Sequence, residues 1–162
     1  MLVAGVGNIF FGDDGFGSAV LQRLAAEPPP DAHVEDYGIR GMHLAFEILA
    51  GYESVIVVDA VSRDGPPGTL YVIEPDVRAA GPPPDAHRMD LQNVFAFVRS
   101  LGGEAPPVEI IGCQPLTVDE GIGLSEPVAA AVDPAVALVQ KLVTRALAAP
   151  TRRQGETTWL EA

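Results

Sequence analysis

Three largely apolar runs, Met1 to Val6, Val55 to Val58 and Val108 to Gly112, are separated by stretches in which apolar residues recur at helical spacing. Runs of this length without polar alternation suit strands buried on both faces, as in a parallel sheet. Gly17 to Ala26 sets Ala19, Val20, Leu21 and Leu24 on one stripe, and Met42 to Leu49 does the same with Leu44, Ala45, Ile48 and Leu49, each the signature of a helix with one buried face. Strand alternating with helix predicts an α/β fold. Val34 to Tyr37 reads as a shorter strand, and the β-branched and aromatic content of Gly68 to Ile73 reads as another, which makes about five. His87 to Gly102 begins with polar residues, continues through Leu91, Val94, Phe95, Val98 and Leu101, and stops at Gly102-Gly103. Pro134 to Ala149 repeats the helical pattern and closes the domain. Prolines 28–30 and 82–84 fit neither helix interiors nor central strands and mark surface connections. The expected architecture is a single α/β domain over residues 1–149, a mostly parallel twisted sheet of about five strands with helices on both faces, followed by a flexible C-terminal tail at 150–162.

Composition narrows the partners. At 162 residues and 48% hydrophobic, the chain has the length for one domain and the apolar content for a real core. Its formal charge of −12, with Lys141 the only lysine, argues against nucleic acid, whose binding requires clustered cations to displace counterions. The same charge disfavours anionic membrane surfaces. No apolar run is read as long enough to span a bilayer, and the N-terminus lacks the basic region of a signal peptide, so a cytoplasmic protein is expected. The lone Cys113 excludes an internal disulfide and a thiolate-cluster metal site; a structural role as a small buried hydrophobe is expected of it.

The chemistry concentrates near the N-terminus. Leu2-Val3-Ala4 runs into Gly5-Val6-Gly7-Asn8 and then Gly12-Asp13-Asp14-Gly15-Phe16-Gly17, a strand, a glycine turn, an acidic loop and a helix. Asp13 and Asp14 have two readings: acids that cap a helix or face solvent, or oxygen ligands presented to a cation or polar substrate. Val55-Ile56-Val57-Val58 leads directly into Asp59, placing an acid at a strand's carboxyl end. Ligands of open α/β sheets bind outside those ends, so Asp59 and the first acidic loop are expected to face one another; the rival reading makes Asp59 a turn or capping residue. Of the three histidines, His33 follows the first proline run, His43 falls on a polar helix face, and His87 precedes a helix. His87 is best placed to reach a site, against the alternative of an ordinary loop histidine. Carboxylates with one imidazole suit nickel or zinc more than magnesium.

Taken together, Gly5-Val6-Gly7-Asn8, Gly12-Asp13-Asp14-Gly15-Phe16-Gly17, Val57-Val58-Asp59-Ala60 and a histidine before a helix resemble the hydrogenase maturation proteases. The match spans roughly residues 1–147 and includes Gly38-Ile39-Arg40-Gly41 and Gly121-Ile122-Gly123-Leu124-Ser125. The resemblance implies an endopeptidase that removes the C-terminal extension of a nickel-iron hydrogenase large-subunit precursor after nickel insertion. It carries the family's metal-binding acid onto Asp14, its strand-end aspartate onto Asp59 and its histidine onto His87, the set expected to be both catalytic and metal-binding. The implied metal is nickel carried by the substrate, with another divalent transition metal as the alternative. Two departures stand out: an aspartate at position 14 where the family often has glutamate, and Asp36-Tyr37-Gly38-Ile39-Arg40-Gly41 where some relatives have Gly-Gly-Thr, which points to a different substrate choice. Three other readings remain. A phospho-accepting receiver-like domain lacks its lysine after a late strand, and a dinucleotide-binding domain would set its pyrophosphate against an acidic loop. A binding module or chaperone that holds the precursor without cutting it differs only in forming no product.

Overall fold

The computed structural model describes residues 1–79, 81, 83–85 and 90–148. Strands β1 (Leu2–Val6), β2 (His33–Gly38), β3 (Val55–Ala60), β4 (Leu70–Ile73) and β5 (Val108–Cys113) form one sheet in the order β2-β1-β3-β5-β4. β1 runs parallel to β2 and β3, and β3 parallel to β5. β4 alone is antiparallel, pairing Leu70 with Cys113 and Ile73 with Ile110 at the sheet edge. Helices α1 (Phe16–Leu24), α2 (Gly41–Ile48), α3 (Leu91–Ser100), α4 (Glu126–Ala130) and α5 (Val132–Ala148) connect or follow the strands. The expected mostly parallel α/β sheet of five strands is present.

Alternation along each strand assigns residues to two cores. Leu2, Ala4, Val55, Val57, Val108 and Ile110 face α2 and α3, where Leu44, Ile48, Val94 and Val98 meet them. Val3, Ile56, Val58 and Ile111 face the opposite way, toward Val20 and Leu24 of α1 and Val139 and Leu142 of α5. Each fully buried aliphatic side chain contributes roughly 1.5–3 kcal/mol relative to exposure, so the sheet centre holds both helical layers in place.

The expected helix over 87–102 is observed as Leu91–Ser100. Its boundary follows from capping: the Asp90 carboxylate accepts the Asn93 N–H at 2.9 Å, which satisfies one of the orphan donors of the first turn. The closing helix starts at Val132 and is preceded by the five-residue α4, which the sequence pattern did not separate from the loop. Together Glu126–Ala148 form 23 residues long and apolar enough to cross a membrane by length and composition, a span the sequence reading had not marked. In the fold their apolar stripe is consumed by the core, with Ala135, Val139, Leu142 and Val143 buried against α1 and the sheet. The anticipated tail at 150–162 lies outside the described residues.

Close approach of α1 to the strand ends depends on Gly17. A Cβ there would stand 2.3 Å from the Val6 carbonyl oxygen and 2.5 Å from that of Val58. Glycine to alanine inside a helix ordinarily gains up to about 1 kcal/mol. Here the clash is with backbone, which cannot move aside, and the sign reverses. Gly17→Ala is expected to destabilise the fold by roughly 2 kcal/mol or more, read as a lower urea midpoint; an unchanged or raised midpoint would contradict this packing.

Candidate functional site

The strand order reverses between β1 and β3, since β2 lies on one side of that pair and β5 on the other. Such a switch point is where open α/β sheets leave a crevice outside the carboxyl ends of their strands. Asp59 sits near the end of β3, half-buried, and Asp14 lies in the short 3-10 turn Gly12–Gly15 that follows β1. The two carboxylates are close enough to interact. Burial pushes the Asp59 carboxyl up from 3.8 to about 7, the negative charge of Asp14 adds to the rise, and an N–H hydrogen bond from Ala60 opposes it. A pair of acids that costs energy to hold ionised is common where a site receives a cation or a proton.

Backbone geometry fixes Asp14. The Asn8 N–H donates to its carboxylate at 2.7 Å, and the Asn8 side chain accepts the Phe10 N–H at 3.0 Å, closing an Asx turn that shapes the loop. Gly7 makes room: its φ is +124°, and a Cβ would lie 1.9 Å from the Asp14 carbonyl oxygen. Neither aspartate of the acidic loop caps α1, whose N-cap is Gly15 with no side-chain hydrogen bond.

Asp13 and Asp14, adjacent in sequence, do different work. Asp13 is fully buried. One carboxylate oxygen accepts N–H bonds from Leu116 at 2.8 Å and Thr117 at 3.1 Å and the Ser125 hydroxyl at 2.8 Å, and the other accepts the Ser125 N–H at 2.7 Å. Burial alone would raise its pKa, but the bonds from Ser125, Thr117 and Leu116 outweigh burial and hold the carboxyl below 3.8. Asp13 therefore ties the loop after β5 onto the loop after β1. The resemblance had already placed the ligand role on Asp14; burial and bonding set Asp13 apart as a tie, while the charge of Asp14 reaches Asp59.

His87 lies outside the described residues. Among the described residues there is no group of three or more histidine, cysteine or acidic side chains placed to hold a metal, so the structure brings together two of the three expected ligands. His33 is engaged with Glu35 at 3.1 Å at the β2 edge, and His43 is exposed on α2. Cys113 is buried, and burial followed by the charge of Asp13 pushes its thiol up to about 11, which matches the structural role expected of it.

Beside Asp14, a cleft of about 330 Å³ opens between the 7–10 loop and the turn after β2, lined by Asn8, Ile9, Phe10, Asp36, Ile39 and Arg40 among others. Arg40 is held by its own turn. Its Nε donates to the Tyr37 carbonyl at 3.2 Å, its Nη2 donates to the Asp36 carbonyl, and the guanidinium lies 5.7 Å from the centre of the Tyr37 ring. Neither Asn8 nor the fixing of Arg40 was singled out from sequence. The Asn8-Ile9-Phe10 Asx turn was the signal available for the first; the second needs the turn's folded path.

Fold and site together define an open α/β protein with a carboxylate pair at its switch point. The family model described as hydrogenase maturation protease matches residues 19–142, and the chain belongs to the hydrogenase maturation protease family. It is 36% identical over 146 residues to a putative hydrogenase maturation protease of Methanocaldococcus jannaschii, covering 86% of this chain and 93% of that one. The crystal structure of a hydrogenase 2 maturation peptidase from a Thaumarchaeota archaeon superposes with a TM-score of 0.69 at 35% identity, covering 88% of this chain and 97% of the other. The hydrogenase maturating endopeptidase HybD from E. coli gives a TM-score of 0.74 at 27% identity, covering 90% of this chain and 92% of that one.

Proposed function

We propose that this chain is an endopeptidase that removes the C-terminal extension of a nickel-iron hydrogenase large-subunit precursor after nickel insertion, with Asp14, Asp59 and His87 receiving the nickel that the precursor carries. The observation that carries this reading is the facing of Asp14 and Asp59 at the switch point of a hydrogenase maturation protease fold. Two carboxylates, one of them raised first by burial and then by the charge of the other, fit a divalent cation, because a cation between them offsets both costs. With an imidazole as third donor the set favours nickel or zinc. Nickel enters as part of the substrate and supplies the means to polarise a carbonyl or activate a water. The chain's own residues orient: the Asn8 N–H aims Asp14, and the carboxyl end of β3 positions Asp59. Aspartate at position 14 reaches one methylene less far than glutamate, which calls for closer approach of the precursor on this side.

The turn Asp36-Tyr37-Gly38-Ile39-Arg40-Gly41 sets substrate choice, since all but its last residue line the same cleft as Asn8, whose N–H holds Asp14. The work is assigned to the cytoplasm, with neither nucleic acid nor membrane as partner; the net charge of −12 supports the exclusion of those polyanionic partners.

The deciding experiment is the intact mass of a cognate large-subunit precursor, nickel-loaded and nickel-free, after incubation with this protein. Loss of a C-terminal peptide from the loaded form alone is expected. Cleavage of both forms equally would remove nickel from the reading, and cleavage of neither would favour a binding module that holds the precursor.

A further inference from the structure

We propose that an apolar ridge beside the carboxylate pair, centred on Ile122 and continued by Phe10 and Phe11, is the surface that docks the folded body of the precursor, through a partner patch that is apolar and rimmed by basic residues. This rests on the reading above that a large-subunit precursor is the substrate. Half of the exposed large apolar side chains among the described residues fall on two short segments, 9–11 and 116–122. Ile122 is 81% exposed and Phe10 56%, a concentration that a monomeric surface seldom carries without a partner.

The segments are adjacent and held. Gly121 donates its N–H to the Phe10 carbonyl at 2.8 Å and accepts the Gly12 N–H at 2.8 Å, while the Asp13 N–H donates to the Thr117 carbonyl at 3.0 Å. Phe11 and Gly121 form a parallel bridge, and the Asp13 carboxylate ties Leu116, Thr117 and Ser125 from beneath. Exposure of Ile122 is therefore built into a fixed loop. The same loop after β1 carries Asp14, so a body seated on the ridge has its processed terminus next to the carboxylates.

Charge selects the occupant. Residues 1–22 and 100–140 contain no lysine or arginine, and Asp119 and Glu120 are exposed next to Ile122. A second copy of a chain with net charge −12 would meet this rim with like charge. A basic rim around an apolar patch complements it.

The test uses Ile122→Asp, with Val118→Asp as a second variant and Leu147→Asp on α5 as the remote control; all three positions are exposed, and urea midpoints are compared with wild type. With nickel-loaded precursor, the two ridge variants are expected to raise KM at least tenfold with kcat within twofold, while the control matches wild type. Unchanged KM in both ridge variants, an equal rise in the control, or a loss confined to kcat would overturn the proposal. A wild-type dimer in solution that Ile122→Asp converts to monomer would also overturn it, because the ridge would then serve self-association. Failure of the substrate reading is separable: if wild type cleaves nothing, direct binding of precursor to wild type and Ile122→Asp is compared, and equal binding or none overturns the docking surface, whereas tenfold weaker binding by the variant supports it.

Discussion

Asp59→Asn is expected to abolish precursor processing and at the same time to make the metal-free protein more stable above pH 7. The carboxyl rises from 3.8 to about 7 on folding because of burial and then the charge of Asp14. A carboxyl whose folded value lies above its unfolded value favours the folded state while protonated. Its contribution is fully present below pH 3.8, falls away as the pH rises through about 7, and above that the ionised Asp59 is a cost. That cost is about 2–4 kcal/mol once the partial exposure of the side chain is taken into account. Asparagine keeps the shape of the protonated acid and cannot ionise. Urea unfolding should therefore show variant and wild type nearly equal near pH 4, with the variant gaining across pH 4–7 and holding its lead at pH 8. Processing, followed by precursor mass, should fall by at least about 10³-fold, the scale of losing a group that holds charge at a reacting centre. Normal processing would remove Asp59 from the site, and an equal stability difference at both pH values would show that charge is not the cause.

Asp13→Ala is expected to produce the opposite balance, a large loss of stability with activity lost as a consequence. The buried carboxylate satisfies three backbone N–H groups and one hydroxyl. Removing it leaves those part-buried donors without their acceptor, at about 1–3 kcal/mol for each one that water does not take over. Allowing for relaxation of the loop, a total near 4 kcal/mol is expected. Asp13→Asn should fall between, since an amide keeps one acceptor but turns a donor toward the N–H groups it faces. Because the Asp13 carboxyl is held below its ordinary value, its contribution is present above pH 3.8 and is lost as the pH falls through the folded-state value. Hydrogen exchange at Leu116, Thr117 and Ser125 offers the direct check. If these amides stay as protected in Asp13→Ala as in wild type, the carboxylate does not hold the loop.

The contrast between these neighbouring acids shows how far residue patterns reach. Continuous apolar runs at β1, β3 and β5 and helical stripes at α1, α2, α3 and α5 were legible because burial on one or two faces imposes periods that any sequence must obey. An acid at the end of an apolar strand marked Asp59, since the carboxyl ends of parallel strands open onto the crevice. The short elements escaped. The 3-10 turn Gly12–Gly15 and α4 Glu126–Ala130 are too brief to show a period, and the antiparallel direction of β4 leaves no mark on the order of side chains. Nothing in the spacing of Gly121 to Ser125 says that this segment folds back onto the loop after β1.

By itself, the sequence determined the α/β class, the two-sided sheet, the acidic surface and the family, because each follows from composition, periodicity or motif order along the chain. Only the tertiary structure decided that Asp13 is a buried tie between two loops, that the Asn8 N–H holds the Asp14 carboxylate, and that the segments carrying Phe10, Phe11 and Ile122 lie side by side. The first and last of these depend on contacts between residues about a hundred positions apart, such as Asp13 with Leu116 and Ser125. A carboxylate is the same in sequence whether it meets four donors or another carboxylate; burial and partners, which exist only once the chain has closed on itself, assign its charge and therefore its work.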